Sequence, residues 1–141
     1  MPAETPSTDF EIDIRVYYED TDAAGVVFYA NYLKFFERGR TEWLRKLGVN
    51  QSELAATEHR MFVVKNVDAQ YRKPAKLDDL VRIHSKITRV GPASVDFQQS
   101  AHAHGVLLCD SSIKVCCVDT RSFRPAPLPE TLRTLLEKVQ N

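Results

Sequence analysis

The sequence has no surplus of either charge: 19 lysines and arginines stand against 19 aspartates and glutamates in 141 residues. Without a basic excess, nothing points to nucleic acid or an anionic membrane surface as a partner. No apolar run approaches the ~20 residues that a bilayer demands, so no membrane-spanning helix is expected. The opening MPAETPSTDF lacks an apolar core and does not read as a secretory signal; a flexible segment is expected over residues 1–9. Cysteine is scarce. Cys109, Cys116 and Cys117 are odd in number and show no CxxC spacing, so they read as reduced, strand-borne small hydrophobes of a cytoplasmic protein. No G-x-S-x-G occurs, which removes a serine α/β-hydrolase on motif grounds. Internal repeats and low-complexity linkers are also missing, and the length suits one domain over 1–141.

What is present is one helical pattern among strand patterns. FEIDIRVYY alternates apolar and polar residues from Phe10 to Tyr18, the period of a half-buried strand. From Asn31 to about Leu47 the period becomes helical, with Tyr32, Phe36, Gly39, Trp43 and Leu47 on one stripe and Gly48 as the stop. A glycine inside that stripe costs about 1 kcal/mol relative to alanine, which suggests that another backbone comes close there. QSELAATEH suits a short helix or a structured loop. Four long strand signals follow, MFVVKNVDAQYR, DLVRIHSKITRVG, ASVDFQQSAHAHG and VLLCDSSIKVCCVD, separated by short Gly/Pro turns. They imply a twisted antiparallel meander. A short amphipathic helix is expected from about Pro129. The fold class is therefore α+β, a curved antiparallel sheet around one long helix, with open edges that a dimer would complete.

The stretch YEDTDAAGVVFYANYLKFF carries the chemistry. Asp20 and Asp22 stand before a glycine turn that feeds the long helix. Acids in that setting are usually solvated turn formers. That placement is poor for burial and good for chemistry.

The whole segment YEDTDAAGVVFYANYLKFFERGRTEWLR resembles the signature of hot-dog-fold acyl-CoA thioesterases of the 4-hydroxybenzoyl-CoA thioesterase family, and most closely the branch associated with the bacterial Tol–Pal system. The match is dense over residues 15–48, continues through YRKPAKLDDLVRI and ends in RPAPLPETLR. The resemblance implies a hot-dog fold and hydrolysis of short- to medium-chain acyl-CoA or aroyl-CoA, or of acyl-carrier-protein thioesters. It implies that Asp22 acts at the thioester carbonyl as nucleophile or as general base on water. It also implies that the Tyr29 backbone N–H receives the carbonyl oxygen, that Gly25 and Val26 line the substrate side of the turn, and that Asp20 is structural. For the coenzyme A phosphates the corresponding segment is TRVGPASVDF, where Ser94 matches directly and Arg89 is the nearest cation; Arg72 and Lys73 are the alternative. Coenzyme A enters as part of the substrate, so no cofactor is implied, and the expected assembly is a homodimer or a tetramer built from dimers.

Other chemistries fit less well. A hydroxyacyl-thioester dehydratase on the same fold would want a histidine in the active turn, and residues 20–31 contain none. A non-catalytic acyl-thioester-binding module is the third reading. His102 and His104 would share one strand face with Asp96, Gln98 and Ser100, but no third ligand stands at recognisable spacing, so no metal is expected. By helical phase Glu37 falls off the apolar stripe and reads as a solvated surface carboxylate.

Overall fold

The computed structural model describes residues 8–141. Most of the expected N-terminal segment, residues 1–7, lies outside the described residues, while Asp9 already belongs to the first strand. The chain runs β1 (Asp9–Arg15), a 3-10 turn (Tyr18–Asp20), α1 (Asn31–Lys46), α2 (Gln51–Glu58), β2 (Arg60–Tyr71), β3 (Leu80–Val90), β4 (Ser94–Ala103), β5 (Val106–Asp119) and α3 (Glu130–Lys138).

Strand alternation sets the inner face of the sheet. Val81, Ile83, Ser85 and Ile87 of β3 are buried, as are Val95, Phe97, Gln99, Ala101 and Ala103 of β4. All five strands form one antiparallel sheet in the order β1-β3-β4-β5-β2, so only β3, β4 and β5 form a meander. The chain leaves β1 for the two helices and returns as β2 on the far edge. That excursion, invisible to strand periodicity, is why the plain meander read from the sequence is incomplete.

The buried face of α1 carries Tyr32, Phe35, Phe36, Trp43 and Leu44 onto β1, β3 and β4, forming the apolar layer. Gly48 ends the helix with φ +91, the left-handed conformation that favours glycine. Gly39 marks the closest helix–sheet approach, but the neighbours are side chains rather than a second backbone. A Cβ there would lie 2.9 Å from Ile83 Cγ2, 3.2 Å from Gln99 Nε2 and 3.3 Å from Ser85 Oγ. These atoms belong to branched or hydrogen-bonded side chains that cannot swing away. Gly39→Val is expected to destabilise the fold by about 1–3 kcal/mol through overpacking, read as a lower urea midpoint with an unchanged m-value.

All three cysteines are buried free thiols on β5. Burial pushes Cys109 up to about 11 and Cys117 up to about 11, far from a reactive thiolate. The native protein should therefore resist thiol-modifying reagents at pH 8 and react with them only after denaturant is added. The strand-face reading of His104 fails, because the chain has already turned there. His104 takes φ +53, and its ring meets Asp79 at 3.0 Å. Among the described residues no group of three or more His, Cys, Asp or Glu side chains could hold a metal ion, and no helix is long and apolar enough to cross a membrane.

Candidate active site

Residues 22–25 form a hairpin turn with aspartate at its first position and glycine at its last. Gly25 N donates to Asp22 O at 3.0 Å and Asp22 N donates to Val26 O at 2.9 Å. Gly25 adopts φ +78 with nothing within 4 Å of a built Cβ, so glycine is required by conformation and not by space. One oxygen of Asp22, Oδ1, accepts from Ala24 N at 2.8 Å, the Asx-turn bond that fixes the carboxylate. Its second oxygen has no hydrogen-bond partner among the described residues, and the residue is exposed.

The other arm of the turn runs into α1. Thr21 and Val27 bridge the arms, and Val26 bridges to Lys76 on the β2–β3 connection. Val27 N donates to Ala75 O at 2.8 Å. Asp22 lies on the tip side of the Thr21–Val27 bridge, one residue past Thr21, and Tyr29 lies on its other side, two residues past Val27 on the way into α1. At the helix start Asn31 N, Tyr32 N and Leu33 N each donate to the carbonyl three residues earlier. Phe28 N donates to Asp20 O at 3.2 Å. The N–H groups of Tyr29 and Ala30 are left without a backbone acceptor among the described residues. These are the donors a helix start offers to an anion.

Asp20 differs from Asp22 in every respect. It is buried, with Oδ2 accepting from Tyr17 N at 2.8 Å and Oδ1 accepting from Asn31 Nδ2 at 2.8 Å. Its carboxylate ties the segment after β1 to the first residue of α1, flanking the Asp22 turn on both sides in sequence. Asn31 was missed by sequence reasoning, since an asparagine at a helix start reads as an ordinary cap. Tyr32 braces the other side. Its hydroxyl donates to Lys73 O at 3.2 Å and accepts from Ala75 N at 3.0 Å, and burial pushes the phenol above its ordinary range.

An aromatic wall stands beside the helix start. The Tyr29 ring meets Phe28 at 4.7 Å and Tyr71 at 5.4 Å between centroids, and all three rings are partly open to solvent. The wall is apolar at its centre, while Lys73 and Lys76 follow Tyr71 in the chain. Arg72 is already engaged, its Nε 2.7 Å from Asp110 Oδ1 and Nη2 3.4 Å from Asp110 Oδ2. Lys73 forms no ion pair among the described residues.

Asp22 and Gly25 share one turn with Val26 directly after it, Tyr29 follows four residues past Gly25 at the approach to α1, and Ser94 and Arg89 lie elsewhere. Arg89 lies near the far end of β3 from Leu80, and Leu80 pairs with Arg15 on the strand that leads into the Asp22 turn. Nine residues of strand separate Leu80 from Arg89, roughly 30 Å. Ser94 closes the β3–β4 turn, accepting from Gly91 N at 2.8 Å through its backbone oxygen. Within one chain neither residue reaches Asp22. Glu37 is exposed, as its helical phase implies.

Comparison with known proteins gives a consistent picture. Residues 16–136 match the thioesterase-like superfamily. The chain is 41% identical to acyl-CoA thioesterase YbgC of Haemophilus influenzae, covering 93% of this chain and 96% of that one. It is 42% identical to acyl-CoA thioester hydrolase YbgC of Escherichia coli O6:H1, over 89% of this chain and 94% of its relative. Among solved structures, a probable thioesterase from Bartonella henselae superposes with a TM-score of 0.81 at 34% identity, covering 86% of this chain and 99% of that one.

Proposed function

From the premise that the chain belongs to the thioesterase-like superfamily and is an acyl-CoA thioester hydrolase, we propose that Asp22 and the Tyr29 N–H form its reacting centre. The observation that carries this is the presence of two unengaged groups seven residues apart on one short segment: a fixed carboxylate with one open oxygen, and a helix-start N–H with no backbone acceptor among the described residues. The thioester carbonyl lies between them. As charge develops on its oxygen, the Tyr29 N–H and the helix dipole stabilise it, an effect that typically contributes 10²–10³ in rate per donor. Asp22 either attacks the carbonyl carbon, giving a mixed anhydride and coenzyme A thiolate that water then resolves, or takes the proton of the water that attacks. Both routes yield a carboxylic acid and free coenzyme A.

Gly25 and Val26 carry the floor of the turn, and the Phe28–Tyr29–Tyr71 wall gives the acyl group an apolar surface. Short to medium acyl or aroyl groups suit that surface. The proposed acyl carrier is coenzyme A, with carrier-protein thioesters as the second substrate class to assay. No catalytic metal or organic cofactor enters the scheme. The three free thiols fit a reducing compartment, and the cytoplasm is the proposed location.

The proposed assembly is a homodimer through β2. Residues 63–68 of this edge strand are exposed on both faces, with Val63 at 39%, Val64 at 49% and Val67 at 38%. An uncovered apolar edge of this length invites pairing with a second copy. Such pairing would also let Arg89 and Ser94 serve a neighbouring centre that they cannot reach in their own chain. Val64→Glu should shift the sedimenting species toward monomer, whereas an unchanged mass would remove β2 as the interface.

The function is tested by free-thiol release from short, long and aromatic acyl-CoA esters and matching carrier-protein thioesters. Turnover of at least one class is expected. A well-folded protein that cleaves none would favour the binding-module reading.

A further inference from the structure

We propose that the cavity under the C-terminal half of α1 binds the carboxylate of an apolar acid, with Arg40 as its anion ligand. The cavity measures about 230 Å³, and its apolar wall includes Leu44 of α1, Phe97 of β4, Val115 of β5 and Leu136 of α3. It lies away from the catalytic turn. Arg40 is eleven residues beyond Tyr29 on the same helix, roughly 16 Å along its axis.

Arg40 is the buried arginine among the described residues, at 8% exposure. Arg60, Arg72, Arg82, Arg121 and Arg133 each have a carboxylate within 4.0 Å, as does Arg45 with Glu42. Like the exposed Arg15, Arg38, Arg89 and Arg124, Arg40 has no carboxylate within 4.0 Å among the described residues, and unlike them it is buried. Its Nη1 donates to Gln99 Oε1 at 2.9 Å, and its guanidinium carbon lies 5.9 Å from the centre of the Phe97 ring. Gln99 is locked in turn, its Nε2 donating to Phe36 O at 2.9 Å and to Ser85 Oγ at 2.8 Å. The guanidinium is thereby held in one pose at the cavity wall.

A guanidinium has five donors and normally forks onto a carboxylate when buried. A buried guanidinium with no carboxylate partner is costly unless its donors meet other acceptors. Burial also pushes Arg40 below the ordinary arginine range, and the nearby Glu37 carboxylate opposes that push. Glu37 lines the same cavity from its exposed rim, with Thr41 and Gln51, but stays outside ion-pair distance of Arg40, so it does not fill the role and instead opposes a second carboxylate there. None of the Arg40 nitrogens is a sealed atom without a partner among the described residues, so the donors not bonded to Gln99 remain accessible at the cavity wall, where an anion with a hydrocarbon body would fit them. At roughly 30 Å³ per water-sized unit, the cavity holds about eight heavy atoms, enough for the carboxylate and most of the chain of octanoate, whose tail would reach the cavity mouth.

Two sources share this chemistry. One is the free acid that thioester hydrolysis releases. The other is a carboxylate at the far end of an acyl group whose thioester lies at Asp22. Only the second rests on the proposed reacting centre.

Calorimetric titration with octanoate and with 1-octanol tests the site. Octanoate should bind about tenfold or more tightly than octanol. Arg40→Met should abolish that preference, and Val115→Phe should weaken both ligands by filling the cavity. Glu37→Gln, at an exposed position that does not threaten folding, should tighten octanoate by removing a competing charge. Turnover of ω-carboxyoctanoyl-CoA against octanoyl-CoA separates the sources. A lower KM for the ω-carboxy substrate, lost in Arg40→Met, assigns the site to the substrate's far end; equal KM values with octanoate still preferred assign it to the free acid. Equal binding of octanoate and octanol, or binding of neither, together with no ω-carboxy preference, overturns the proposal. So does a Glu37→Gln protein that leaves octanoate affinity unchanged.

Discussion

Asp22→Asn is expected to lower kcat/KM for the best acyl-CoA substrate by two to four orders of magnitude, the range associated with a positioned acid–base group. The substitution is nearly isosteric, and the amide oxygen can still accept from Ala24 N, so the Asx turn survives. The thermal midpoint should therefore stay within about a degree, because an exposed, isosteric change away from the core costs little. What is lost is the open oxygen that attacks or deprotonates. KM should change little if the acyl group is held by the aromatic wall rather than by the carboxylate. A variant that turns over like the wild type would make Asp22 only a turn former.

Asn31→Leu is expected to give the largest loss of stability among single changes at the site. The substitution roughly keeps the volume but removes the amide that donates to Asp20 Oδ1 at 2.8 Å. Both residues are buried, Asp20 at 6% and Asn31 at 8%. The carboxylate would keep the Tyr17 N–H and lose its other partner, and a buried, partly unsatisfied charge costs about 1–3 kcal/mol or more. Chemical denaturation reads that cost directly. Activity should fall as well, because Asp20 receives Tyr17 N through its side chain and Phe28 N through its backbone, on the two arms that carry Asp22 and Tyr29. A variant as stable as the wild type would show that the Asp20–Asn31 pair does not hold the turn. The two aspartates of D-x-D thus predict opposite phenotypes: stability for Asp20, rate for Asp22.

Much of this was legible in the sequence because it depends on short-range rules. The two-residue period of β3 and β4 marks their buried faces, and the three-to-four spacing of Tyr32, Phe36 and Trp43 marks the helix stripe. Gly25 reads as a turn glycine because few other residues take φ +78 at low cost. The D-x-D turn and its family resemblance single out Asp22 as the candidate carboxylate from the sequence alone. What remained hidden depends on pairings distant in sequence. β2 lands on the far edge because two helices carry it there, which no local period encodes. Gly39 signalled a close approach without saying that Ile83, Gln99 and Ser85 make it. Arg40 follows that glycine as one more charge in a run of charged residues, and only the fold shows it buried against Gln99 and Phe97. His104 looked strand-borne because the hairpin turns one residue earlier than the alternation suggests.

The account stands on the thioester carbonyl lying against the Tyr29 N–H, opposite Asp22. Isotope-edited infrared difference spectroscopy of a carbonyl-labelled aroyl-CoA bound to the slow Asp22→Asn protein measures that contact directly. The account predicts a carbonyl stretch shifted to lower frequency than that of the same ester free in water, because a fixed N–H and a helix dipole polarise the bond. A stretch at or above the free-ester frequency, with the ligand shown to be bound, would contradict it.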